Sequence, residues 1–368
     1  MTGLLLQAER LKWRSIKWLI IDEISVVSYR TLRNIHLRLQ EYKNNELLFG
    51  GVNVLLFGDL LQLPPVTSFG KQEYCFQQPE VYKHEIHLWR QFSFCELKVN
   101  MRQQGDMEFT DLLNSVHIGI ATIDHIRLLE ERRYLDNTEE FCDAIRVFAT
   151  RKLVAKYNLQ KSEELKQRTK VYKIVSLDKS VDGGQPVDVK YIPENGNKTA
   201  GLVSQIEIGV GSRVMLRRNI NISKGLVNGS MGIISSIQWP ALRDEQLYEG
   251  EMPELVRVKF DEIEEPVAIH PIAAQYDGIR GFGKIERKMM PLILCWAVTI
   301  HKLQGVTKDK AVVDLGKQIF AKGQAYVALS RVRAVKGLAV SDLHVDKILI
   351  NPHDQVAFNE LQRLREME

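Results

Sequence analysis

The side chains best suited to chemistry stand at the ends of apolar runs. Residues 18–22 read Trp-Leu-Ile-Ile-Asp and lead into Glu23. A carboxylate just past such a strand, Asp22, is a hard oxygen donor able to hold Mg²⁺, usually through water. Glu23 is placed to orient or deprotonate an attacking water, the remaining demand of nucleotide hydrolysis. A second apolar run, 52–57, stops at Gly58 and Asp59 and continues through Leu60, Leu61, Gln62, Leu63, Pro64 and Pro65. Gly58 permits a turn that other residues resist, and the prolines stiffen the backbone beside it. Gln62 could hydrogen-bond a terminal phosphate or its attacking water. Arg102 and Arg331 are permanent planar cations whose forks suit phosphate oxygens. Thr299, His301 and Lys302 follow the most apolar run and bring a hydroxyl, an imidazole and a cation to a strand-to-helix junction. Exposed amides at such a junction can meet phosphates. Taken singly, each has a plainer alternative: a polar strand end, a solvent-facing glutamine, surface arginines, a structural histidine.

The elements that must position these groups follow from periodicity. Leu32, Ile35, Leu39 and Tyr42 have helical spacing, predicting an amphipathic helix over 30–42 between two buried strands. That pattern predicts an α/β sheet with functional residues at the carboxyl ends of its strands. A helical stretch is expected over 106–135, a strand over 144–149, a helix over 152–166 and an exposed linker over 176–205. Across 209–290 the pattern changes to short β-type runs separated by turn chemistry, including Asn228-Gly229 and a glycine cluster at 278–283. This predicts a small antiparallel barrel. The α/β style returns with a strand over 292–299, helices over 301–305 and 323–331, and a strand over 310–314.

Composition bounds the possibilities. A chain of 368 residues suggests two or three domains. With 45% hydrophobic and 26% charged residues it is not a disordered, collagen-like or disulfide-scaffold chain. Its longest apolar run is nine residues, 292–300, against the ~18 of a membrane span. The first twenty residues carry no secretory signal. Cys75, Cys95, Cys142 and Cys295 lie far apart, with no zinc-finger spacing, as small buried hydrophobes of a reducing compartment would. A net charge of +4 permits a nucleic-acid partner without arguing for one.

In order, the segments "LIIDEIS", "FGDLLQLPPV", "LKVNMRQ", "GLVNGSMG", "AVTIHKLQGVT" and "AYVALSRVR" resemble motifs II, III and IV, the opening hairpin of an inserted barrel, and motifs V and VI of the PIF (petite integration frequency) DNA helicases. These form a RecD-like branch of superfamily one that includes Helitron transposon helicases. The resemblance runs over roughly residues 11 to 345. It implies P-loop NTPase, RecA-like lobes of parallel sheet flanked by helices, with a small Src-homology-type β-barrel inserted in the second lobe. It divides the chain into a first lobe over 1–135, a second over 136–208 and 291–368, and the barrel over 209–290. It also implies ATP and Mg²⁺ as cofactors and 5′ to 3′ translocation of a monomer on single-stranded DNA, with forked or structured DNA as further partners and no membrane. Roles in repair, recombination or telomere maintenance, in the nucleus or alternatively the mitochondrion, follow from the family alone.

By motif, Asp22 and Glu23 would serve Mg²⁺ and water, and Gln62 would sense the γ-phosphate. Arg102 and Arg331 would approach that phosphate, with Gly58, Asp59, Gln304 and Gly305 lining the nucleotide cleft. Pro64, Pro65, Thr299, His301 and Lys302 would face DNA. The phosphate-cradling loop G-x-x-x-x-G-K-[ST] should precede Asp22, yet residues 1–21 do not carry it. The nearest match, 278–285, ends in isoleucine and reads as a barrel turn. The expectation is therefore a first lobe truncated at its N terminus. The alternative is an ATPase-dead remnant, of transposon origin for example, that only binds single strands.

Overall fold

The computed structural model describes residues 3–66, 72–103, 105–133, 135–240, 250–349 and 354–367. Contacts gather the chain into two compact units, Met1–Asp143 with Leu303–Glu368, and Ala144–Lys302. These units do not follow the lobe boundaries drawn from the motifs.

The first unit opens with α1 (Leu4–Trp13), β1 (Trp18–Ile21), α2 (Tyr29–Lys43) and β2 (Asn53–Leu56). β1 and β2 pair in parallel, Trp18 opposite Asn53 and Ile21 opposite Leu56. Ser28 caps α2 by accepting from the Thr31 amide, and Asn44 ends it in a left-handed turn. Its buried face, Tyr29, Leu32 and Leu39, packs with Phe49, Val52 and Leu88, against which Leu19 and Val54 rest. The strands are not buried on both faces, as their apolar runs had suggested. Trp18 and Ile20 are 59% and 62% exposed, and Leu55 and Phe57 on the same side are 42% and 43% exposed, because no described element covers that side. The stretch expected as helical over 106–135 is two helices, α3 (Met107–Ile118) and α4 (Ile123–Arg133). Gly119 breaks them by adopting φ +77° as the cap of α3, whose first turn is capped by Asp106.

The second unit begins with β3 (Ile145–Phe148), α5 (Arg151–Lys166), β4 (Val171–Val175), β5 (Leu177–Ser180) and β6 (Gln205–Gly209). It continues through β7 (Arg213–Leu216), β8 (Met231–Gln238), β9 (Leu255–Phe260), β10 (Val267–Ile269), β11 (Ile272–Asp277) and β12 (Lys284–Met289). It closes with β13 (Leu292–Leu294), β14 (Ala297–Thr299) and α6 (Ile300–Leu303). The β-rich insert is present as a five-stranded sheet ordered β10-β9-β8-β7-β13, a three-stranded sheet β11-β12-β5 and the pair β4-β6. Among the described strands, the outer β10 and β13 do not pair with each other, so the five-stranded sheet is open. Ile174, Ile208, Val214, Val256, Val258, Met289 and Leu292 share one core.

Two expectations change here. The presumed linker over 176–205 contains β5, whose Asp178 is buried in an ion pair with Arg287. The single strand expected over 292–299 is two: β13 runs antiparallel to β7, whereas β14 runs parallel to β3. Asn158 of α5 fixes β14 by donating to the Ala297 carbonyl at 3.2 Å and accepting from its amide at 2.8 Å.

The chain then returns to the first unit with β15 (Ala311–Leu315), α7 (Gln324–Leu329), β16 (Leu338–Leu343), α8 (Asp346–Leu349) and α9 (Gln355–Arg365). β15 and β16 pair in parallel. Helix α9 is pinned by Glu360, which accepts from the Trp89 indole at 2.8 Å. Among the described residues no helix is long and apolar enough to cross a membrane.

Candidate functional site

The parallel ladder continues beyond β1 and β2. The Phe57 amide donates to Ile21 at 2.8 Å and the Ile24 amide to Phe57 at 2.9 Å, so the loops bearing Asp22-Glu23 and Gly58-Asp59 are bound to one another. Gly58 belongs there for its size as well as its φ of +150°: a Cβ would stand 2.8 Å from the Ile24 nitrogen. Glu23 adopts the left-handed conformation, φ +52°, which costs a non-glycine residue about 1–2 kcal/mol. From that turn its Oε2 accepts from Gln304 Nε2 at 2.8 Å. Gly305 lies alongside, 3.8 Å separating its Cβ position from Glu23 Oε1.

Asp59 is the hub of the second loop. Its carboxylate meets His117 Nε2 at 2.8 Å, accepts from the Leu61 amide at 3.0 Å and from Gln62 Nε2 at 3.2 Å. Burial alone would raise its pKa, but these hydrogen bonds outweigh it and hold the group below the usual carboxylate range. Gln62 is thus oriented by Asp59, so Asp59 acts through protein contacts. His117 in turn lies against Tyr326, ring centroids 4.4 Å apart. Gly323, at φ +76°, starts α7 hard against this loop: a Cβ would approach the Leu61 carbonyl oxygen to 2.6 Å.

Arg102 and Arg331 meet in the same unit. Arg102 Nη1 donates to the Ser330 carbonyl at 3.3 Å, and the neighbouring Gln103, buried, donates to Val332 at 3.0 Å. Arg331 is 2% exposed. Its guanidinium donates to the Val327 carbonyl and to Ser330 Oγ, each at 2.6 Å, and to the Leu303 carbonyl at 3.4 Å. All are neutral acceptors. Burial, and then the charge of Arg102, push its pKa down to about 10, with Tyr326 and Glu23 opposing.

Asp22, Glu23, Gly58, Asp59, Gln62, Arg102, Gln304, Gly305 and Arg331 therefore fall in one compact unit. Pro64 and Pro65 follow in the same unit, Pro65 buried and Pro64 half-buried. Thr299, His301 and Lys302 close the other unit. His301 and Lys302 are exposed at α6. Partial desolvation, followed by the charges of Arg217 and Arg151, pushes Lys302 down to about 8, and His301 is lowered by desolvation and Arg151. His117, Tyr326 and Gly323 escaped the sequence reading. Only Gly323, a glycine immediately ahead of an apolar helix, left any local signal.

The fit of a divalent cation is tested by the donors present. Asp22 Oδ1 accepts from the Glu23 amide at 2.8 Å, while Oδ2 has no partner among the described residues. One open carboxylate oxygen beside a second carboxylate suits Mg²⁺ held mainly through water. No described cluster of three or more His, Cys, Asp or Glu residues forms a closed metal cage. Asp22 would hold the ion, and Mg²⁺ would there neutralise phosphate charge.

The model of the PIF1-like helicases matches residues 7–127, and that of the DNA helicase Pif1 2B domain matches 197–237. The chain is 31% identical over 364 residues to the ATP-dependent DNA helicase PIF1 of Xenopus laevis, covering 97% of this chain and 51% of that protein. It is 30% identical over 361 residues to PIF1 of Homo sapiens, covering 96% and 50%. The chain thus spans about half the length of these relatives. The Pif1 helicase of Candida albicans superposes with a TM-score of 0.77 at 27% identity, over 97% of this chain and 79% of that one. Bacteroides Pif1 in complex with ADP-AlF3 and single-stranded DNA gives 0.70 at 26%, over 100% and 79%. In its ordered motifs, its fold and its sequence, the chain is similar to the PIF1-like helicases along nearly its whole length.

Proposed function

We propose that this chain carries the hydrolytic and strand-gripping machinery of an ATP-dependent DNA helicase that moves 5′ to 3′ on single-stranded DNA. The observation that carries this reading is Arg331, a buried cation with only neutral acceptors, gathered in one unit with Arg102, Glu23 and the Asp59–Gln62 pair. A buried charge without a counter-charge is costly, and phosphate oxygens would supply one. Glu23, held by Gln304, would accept a proton from the attacking water. Gln62, aimed by Asp59, would hydrogen-bond the terminal phosphate, and Arg102 and Arg331 would meet charge developing on it. Asp22 would hold Mg²⁺. The Bacteroides relative crystallised with ADP-AlF3 and single-stranded DNA supports both the nucleotide and the strand.

Pro64, Thr299, His301 and Lys302 would contact DNA, and a structure of two coordinating Pif1 helicases at forked duplex DNA supports forks as partners. Repair, recombination and telomere maintenance in the nucleus, or work in the mitochondrion, rest on the family.

DNA-stimulated ATP hydrolysis by a protein that joins this chain to a G-x-x-x-x-G-K-[ST] segment tests the reading, since the 368 residues by themselves carry no such loop and are expected to show no turnover alone. Turnover of the joined protein should be abolished by Glu23→Gln and reduced ~10³–10⁵-fold by Arg331→Ala, the range for loss of an arginine finger. Tight single-strand binding with no turnover would favour a second reading, grip without hydrolysis.

A further inference from the structure

A cleft of about 440 Å³ opens on the second unit, walled by the end of β7, the loop through Ala200 and Gly201, and the hairpin at Asn228. No carboxylate lines it. Its polar wall is two guanidinium groups, Arg217 and Arg218, and three carboxamides, Asn197, Asn219 and Asn228. Both arginines and the side chains of Asn197 and Asn219 are pre-positioned by protein contacts. Arg217 donates to the Gly201 carbonyl at 3.4 Å and to Asn197 Oδ1 at 3.2 Å, and Arg218 donates to the Ala200 carbonyl at 3.1 Å. Asn219 Oδ1 accepts from the Asn228 amide at 2.8 Å. These bonds leave Arg217 Nη1, Arg218 Nη2 and the side-chain amides of all three asparagines without a partner among the described residues.

The surrounding charge has one sign. Desolvation and then Arg151 lower the pKa of Arg217, while Arg217 and Arg151 both bear down on Lys302. Among the described residues none of Arg151, Arg217, Arg218 and Lys302 forms an ion pair with a carboxylate. Cations that repel one another around an open cleft are stabilised when an anion enters. The forks match phosphate oxygens in two-point fashion, and the carboxamides can donate to sugar and phosphate oxygens. No aromatic ring lines the cleft, so it lacks a platform for stacking bases.

We propose that the Arg217–Arg218 cleft is a phosphodiester-binding subsite for single-stranded DNA, gripping backbone without reading sequence. This rests on the strand-binding reading above and adds a seat on the second unit to the residues already assigned to DNA, with Asn228 alone drawn from a motif segment. Contacts of this kind position a strand and are screened by salt.

The test is fluorescence anisotropy of labelled oligothymidylate and of a mixed-sequence oligonucleotide with the whole chain, titrated across salt. Arg218→Ala changes an exposed side chain and is the primary variant. Arg217→Gln and Arg217→Lys follow, with melting temperature as the check on folding. Arg218→Ala and Arg217→Gln should each flatten the slope of log affinity against log salt by about 0.7 and weaken binding about three- to tenfold at low salt, alike for both oligonucleotides. Arg217→Lys should keep most of the slope, and Lys12→Ala, on the other unit, should change nothing. Unchanged slopes in folded variants, with the parent chain binding DNA, would overturn the subsite and leave the helicase reading standing. No binding by the parent chain would overturn both. Competition by inorganic phosphate, with DNA slopes unaltered by the variants, would mark a seat for free anion and overturn the DNA assignment.

Discussion

Arg287 and Arg331 are equally buried, each 2% exposed, and they are satisfied in opposite ways. Arg287 faces Asp178 through Nε at 2.8 Å and Nη2 at 3.0 Å and spends Nη1 on the Leu202 carbonyl. Tyr276 donates to the same carboxylate at 2.9 Å and Ser176 at 2.7 Å. Its charge is answered within the protein. Arg331 meets two carbonyls and a hydroxyl, and no carboxylate pairs with it among the described residues. The first arrangement closes an electrostatic circuit and organises a fold; the second leaves one open, the condition for binding an anion.

Stability measurements can break this comparison directly. Arg287→Met would leave Asp178 buried without its cation, a loss of about 3–5 kcal/mol, lowering the melting temperature by on the order of 10 °C for a unit of this size. Arg331→Met orphans no carboxylate and removes a desolvated charge, so its cost should stay below about 1 kcal/mol. Paired thermal melts of the two variants check this. Equal destabilisation would mean that Arg331 is structural after all.

A smaller effect is expected at Asp59, where charge is again answered internally but by a histidine and an amide. Removing the ring with His117→Ala should cost about 1–3 kcal/mol at neutral pH. The pKa of Asp59 is held below the usual range in the folded protein. Its stabilisation is therefore complete above the ordinary carboxylate pKa and is lost as pH falls through the folded value. Denaturant unfolding at pH 7 and then at steps below the ordinary carboxylate pKa should show the gap between parent and variant narrowing as the solution becomes more acid. A gap independent of pH would assign the loss to ring packing on Tyr326 instead.

These contrasts mark how far the sequence could be read. Asp22, Glu23, Gln62, Arg102 and Arg331 were legible because each follows an apolar run or a local motif, and secondary structure delivers such residues to strand and helix ends. β5 was hidden because Asp178 looks like a loop residue until Arg287, more than a hundred positions later, neutralises it. The run over 292–299 gave no sign that it changes sheets, since apolarity reports burial and not partner. His117 and Tyr326 were out of reach for the same reason: a ring contact between distant helices has no local period.

The smallest expected effect sharpens the comparison at an exposed site. Lys302, like Arg331, is a cation with no carboxylate partner among the described residues, and its pKa is pushed down to about 8. Its charge is largely present at pH 7 and lost as pH rises through that value. His301, lowered by desolvation, stays neutral across the same range. If Lys302 grips a DNA phosphate, single-strand affinity at fixed salt should weaken by about two- to fivefold between pH 7 and pH 9. Lys302→Arg, charged throughout, should hold the pH 7 affinity across the range, whereas Lys302→Gln should sit at the pH 9 level throughout. An unaltered pH profile in both variants would remove Lys302 from the strand path. The open circuits would then be confined to Arg331 and the Arg217–Arg218 cleft.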